Sequence, residues 1–115
     1  PQDAETLNNL AYVLGKDLNR PDEALEFAKK ASELRPNSAE TLDTYGMVLM
    51  QSGKLEEADR VLSRALATRS QISTQVTILL HIAELKHKQG KTEEARATLA
   101  RAKSLLAQSG GVTQE

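Results

Sequence analysis

Hydrophobic positions along this chain recur in steps of three and four rather than in blocks. Leu7, Leu10, Ala11 and Leu14 make one stripe, Leu42, Tyr45, Gly46 and Leu49 a second, and Leu79, Ile82 and Ala83 a third. This i, i+3, i+4, i+7 spacing is that of an amphipathic α-helix with one apolar face. The third stripe breaks at its fourth position, where Lys86 stands. Downstream of each stripe lies a stretch marked by alanine instead: Ala24 and Ala31, Ala58 and Ala65, Ala95 and Ala102. Two helical turns separate the members of each pair, so both face the same way. The pattern predicts six helices, near residues 3–16, 22–34, 38–52, 55–68, 74–89 and 92–107, and an all-α fold.

Helix-boundary residues agree with these limits. Gly53 and Gly90, and Asn19 in the first copy, stand where a left-handed residue closes the first helix of a pair. The acids Asp22 and Glu23, Glu56 and Glu57, Glu93 and Glu94 fall in the first turn of each second helix. There each is stabilised by the positive end of the helix dipole by about 0.3–1 kcal/mol. Pro21 suits a first helical position, and Ser38, after Arg35-Pro36-Asn37, is a candidate N-cap. The unit is helix, turn, helix, repeated with spacings of 34 residues from Ala24 to Ala58 and 37 from Ala58 to Ala95. GKLEEADRVLSRA at 53–65 and GKTEEARATLARA at 90–102 are nearly the same phrase. Periods of this length mark a solenoid, because a lone helix pair cannot bury its apolar stripe and neighbours must stack.

These residues resemble the tetratricopeptide repeat. Copy two carries the resemblance best, through Leu42, Tyr45, Gly46, Leu49, Ala58, Leu62 and Ala65. Copy one supplies Leu7, Leu10, Ala11, Leu14, Ala24, Ala28, Ala31 and a closing Pro36, with one extra residue in its turn. Copy three supplies Leu79, Ile82, Ala83, Ala95, Leu99 and Ala102. Leucine replaces the large aromatic at the head of every copy. The closing proline is missing from copy two, where ATRSQISTQ lengthens the connection by three residues. The resemblance implies a right-handed α-solenoid of three repeats, about 4–37, 39–72 and 76–107, within a domain of residues 1–107. Residues 108–115 form an expected disordered tail.

In this family the first helices of the pairs line a concave groove that holds an extended peptide or a partner helix. Carried onto this chain, the groove face is Asn8, Asn9 and Tyr12 from copy one, Asp43, Thr44, Met47 and Met50 from copy two, and Leu80, His81, Glu84 and His87 from copy three. An asparagine amide both donates and accepts, which suits a peptide backbone. Tyr12, Met47 and Met50 are candidates to grip an apolar side chain or, equally, to fill gaps between helices. One subclass of the family grips the carboxylate tails of chaperones with a Lys, Asn and Arg clamp. The matching slots here are Asn8, Tyr12, Thr44, Thr77 and His81, without a Lys or Arg, so no such clamp is expected.

Composition narrows the remaining classes. Residues 1–59 carry twelve acids against six bases, and residues 60–115 nine bases against four acids, for a net charge of −1. With one Phe, two Tyr and no Trp there are few stacking platforms, so no nucleic-acid partner is expected. The acidic front and basic rear make weak head-to-tail self-association an expectation. The absence of cysteine removes disulfides and thiolate chemistry and leaves the compartment open. No apolar run approaches the roughly 18–20 residues of a membrane span, so no membrane insertion is expected. Pro1 opens the chain without a leader pattern, which reads as a piece of a longer protein.

No phosphate loop, nucleophile elbow or H-E-x-x-H is present, and neither an enzyme nor a cofactor is expected. His81 and His87 are six residues apart, about 120° around a helix, where helical zinc motifs use i, i+4; no metal site is expected. The expected function is a non-catalytic protein-interaction module binding a peptide or partner helix in its groove. The alternative is structural: self-association, or support within a longer repeat protein.

Overall fold

Each predicted helix is present in the computed structural model, which describes residues 3–111. Helix α1 (Ala4–Tyr12) continues into a π-helical turn, Val13–Asp17. It is followed by α2 (Pro21–Leu34), α3 (Ala39–Gln51), α4 (Leu55–Ala67), α5 (Ile72–Lys88) and α6 (Thr92–Gly111). Residues 108–111, expected to begin a disordered tail, continue α6; the rest of that expected tail, 112–115, lies outside the described residues.

Capping chemistry sets the boundaries. Asp3 precedes α1 and accepts from the Glu5 amide at 3.4 Å and from Thr6 Oγ1 at 3.0 Å. Ser38 caps α3, accepting from the Thr41 amide at 3.3 Å, while Thr41 Oγ1 donates to the Arg35 carbonyl at 3.0 Å and fixes the turn before α3. Asn19, Gly53 and Gly90 have φ of 53°, 84° and 79°, the left-handed conformation expected at these turns. Pro21 opens α2, where its missing N–H costs nothing.

The two irregularities of the repeat are absorbed inside helices. From Leu7 to Asn19 the chain takes twelve steps, against eleven from Leu42 to Gly53 and from Leu79 to Gly90. The surplus residue is taken up by the π turn, where the Leu18 amide reaches back to the Val13 carbonyl at 3.0 Å. The three surplus residues after α4, with one more gained because α4 ends a position earlier than α2, lengthen α5 at its start, so α5 has 17 residues where α3 has 13.

Packing follows the order of the chain. Each helix lies against its pair partner, the second helix of each pair against the first of the next, and α1, α3 and α5 stand side by side. Ala11, Leu14, Ala24 and Ala28 form one core with Met47 and Val48. Leu42, Leu49, Met50, Ala58, Leu62 and Ala65 form another with Ile78, Ile82 and Leu85. Burying one such leucine is worth about 1.5–3 kcal/mol, so this stacking outweighs the caps. Tyr45 is half-buried between the cores. Burial raises its phenol above the ordinary 10.0, and the carboxylates of Glu57 and Glu33 add to the rise.

Three repeat positions differ from their counterparts. Leu10 is 41% exposed, whereas its counterpart Ile82 is buried against the preceding pair; α1 has no preceding pair among the described residues. Leu99, the counterpart of the fully buried Leu62, is exposed for the mirror-image reason on α6. Lys86, which breaks the third stripe, bridges Asp59 of α4 at 3.5 Å and Glu94 of α6 at 3.4 Å.

Candidate functional site

The first helices of the three pairs each contribute three residues to one concavity of about 330 Å³. Asn8, Asn9 and Tyr12 come from α1, Glu40, Asp43 and Thr44 from α3, and Ser73, Thr74 and Thr77 from α5. Every lining residue is polar, Tyr12 being the one aromatic among them, and the lining contains no Lys or Arg. The positions on each helix are one, three or four residues apart, which a helix gathers onto one side. Tyr12 is 40% exposed at the rim, and Asn8 is half-buried with its Oδ1 enclosed and without a hydrogen-bond partner among the described residues.

Beneath the concavity lies a buried polar pair. His81 Nδ1 of α5 lies 2.7 Å from Asp43 Oδ1 of α3, both side chains about 10% exposed. An ionised carboxylate only accepts, so with Asp43 ionised Nδ1 carries the proton and the ring donates. The bond joins the second repeat to the third.

Of the eleven residues expected on the groove face, five line it: Asn8, Asn9, Tyr12, Asp43 and Thr44. Met47 and Met50 do not, being 2% exposed each. Helix α3 is the middle helix of its row and is covered on both flanks, so Met47 packs towards α1 and α2 and Met50 towards α4 and α5. His81 faces inward to Asp43 rather than into solvent. Leu80, Glu84 and His87 are exposed along α5 outside this concavity. Among the described residues no group of three or more His, Asp or Glu side chains is placed to hold a metal ion, and no helix is long and apolar enough to cross a membrane.

Three lining residues, Glu40, Ser73 and Thr74, were not on the expected face, and Thr77 was expected only as a slot of the absent clamp. Glu40 stands three residues before Asp43 and was legible from helical spacing. Ser73 and Thr74 were not, because they belong to the stretch whose extra residues become the first turn of α5.

A tetratricopeptide repeat model matches residues 17–76, and a second matches residues 76–105. The chain belongs to the tetratricopeptide repeat family. A TPR repeat-containing protein of Pseudomonas aeruginosa is 39% identical over 66 residues, which cover 57% of this chain and 11% of the relative. The matched stretch is thus a small part of that longer protein. Tetratricopeptide repeats are in general protein–protein interaction modules, and the three described here share the paired-helix packing that creates the concave row α1, α3, α5.

Proposed function

We propose that this domain is a non-catalytic interaction module that holds an extended segment of a partner protein across α1, α3 and α5. The observation that carries the reading is the composition of the groove: amides and hydroxyls from three successive repeats, with one aromatic at the rim. Asn8 and Asn9 offer both donors and acceptors to a peptide backbone, and Thr44, Ser73, Thr74 and Thr77 offer hydroxyls that do either. Glu40 and Asp43 are the lining charges, which favours a neutral or basic segment over an acidic tail.

A peptide-display selection on the domain tests the proposal, with Asn9→Ala/Tyr12→Ala as the counter-screen. Selected peptides are expected to bind the parent and to lose at least about tenfold in affinity on the double variant, equivalent to about 1.4 kcal/mol. Leu80→Ala, outside the groove, is expected to leave affinity unchanged. Peptides indifferent to the groove variant while sensitive to Leu80→Ala would refute this reading.

The exposed Leu99 and Leu106 on α6 favour a second reading, in which this end of the array supports a neighbouring segment or a second copy. Sedimentation of Leu99→Glu/Leu106→Glu beside the parent separates it from the first: the groove reading expects identical profiles.

A further inference from the structure

A trough lies away from the concave row, along α4 where it meets the turn between α5 and α6. It consists of two adjoining concavities of about 860 and 740 Å³ that share Glu56, Arg60 and Gln89. Five bases line it against three acids. One of those acids, Asp59, is already engaged by Lys86 Nζ at 3.5 Å and accepts from Ser63 Oγ at 3.4 Å. Arg60, Lys88 and Lys91, by contrast, have no carboxylate within 4.0 Å among the described residues. Arg64 is held in place by donating from Nη2 to the Pro36 carbonyl at 3.0 Å, and four residues from Arg60 it points to the same side of α4. Gln89 lines both concavities, and its Oε1 is buried without a hydrogen-bond partner among the described residues, so its amide is not committed to the fold.

From this geometry we infer a second docking surface, which takes an acidic linear segment of a partner protein, its carboxylates meeting Arg60, Arg64 and Lys91. Charge complementarity selects the occupant. The concave groove carries acids and no bases, and the trough carries an excess of unpaired bases, so the two surfaces sort partner segments by sign. The combined size exceeds what a single carboxylate or phosphate fills, which favours a chain with several charges over an isolated anion. Arginine contributes here beyond its charge, since its planar fork meets a carboxylate through two parallel hydrogen bonds.

Fluorescence anisotropy of a labelled peptide of alternating Glu and Ser, titrated with the full chain, tests the inference. Binding is expected at low ionic strength and is expected to weaken as salt rises. Arg60→Glu/Lys91→Glu, both at exposed positions, should reduce affinity at least about tenfold, with melting temperature held as the folding control. The groove variant Asn9→Ala/Tyr12→Ala should bind this peptide as the parent does, which keeps this outcome separate from the concave-groove reading. Unchanged binding by the charge-reversed variant, or the absence of binding at low salt, would overturn the inference. So would tighter binding by a single-stranded oligonucleotide of equal charge, or a complex that proves on sedimentation to be two copies of this chain without peptide.

Discussion

Gly46 has no room for a methyl group. A Cβ built there would lie 2.5 Å from Cγ of Leu62, a side chain with no exposed surface and no free direction in which to retreat. The small residue is therefore what lets α3 and α4 close on each other. Gly46→Ala gains about 1 kcal/mol of helix propensity, but overpacking at so tight a contact costs more. A net loss of about 1–3 kcal/mol is expected in urea unfolding. Asp43 and His81 pose the opposite problem, a buried polar pair whose members depend on each other. Removing either partner strands the other, so Asp43→Ala and His81→Ala should each destabilise by about 1–3 kcal/mol. The double variant should lose less than the sum, with a coupling of about 0.5–3 kcal/mol. Strict additivity in that cycle would mean that the 2.7 Å bond contributes nothing.

At the scale of the element, the repeat pattern made most of the architecture legible before any coordinate. Helix positions, the left-handed closures at Asn19, Gly53 and Gly90, and the Ser38 cap all follow from local chemistry that each residue carries with it. The adjustments between copies did not follow, because a surplus residue in a sequence can lengthen either a turn or a helix. Copy one puts its surplus into the π turn Val13–Asp17, and the connection after α4 puts its three into α5. Deleting Lys16, exposed within the π turn, should therefore restore an ordinary α-helix and leave a cooperative thermal transition and an unchanged circular dichroism spectrum. Deleting Met47 from α3 instead turns every later side chain of that helix by about 100°, and the same measurement should show the transition lost.

Across the whole molecule, the candidate groove was legible only where it depended on one helix at a time. Asn8, Asn9, Tyr12, Asp43 and Thr44, carried over from the repeat resemblance, line the concavity. Met47 and Met50 take the second of their two expected roles, filling gaps between helices, because periodicity says which residues share a face but not how many neighbours cover it. The inward turn of His81, expected on the groove face, was hidden for a related reason: its partner Asp43 lies 38 residues away, and such a distance in sequence leaves no local trace. The basic trough was invisible for the same cause, being assembled from α4 and from a turn some thirty residues later. Lys86 carries a last consequence. The turn that joins the first two pairs carries a hydroxyl bonded to a carbonyl, Thr41 to Arg35, which dissolved ions leave untouched. The attachment of the last pair relies in part on one ammonium shared between Asp59 and Glu94. Counter-ions compete with such a bridge. Concentrated electrolyte therefore loosens that bridge, a change of about 1 kcal/mol or less, while the shared core of Leu42, Ile78, Ile82 and Leu85 keeps α5 on the second pair.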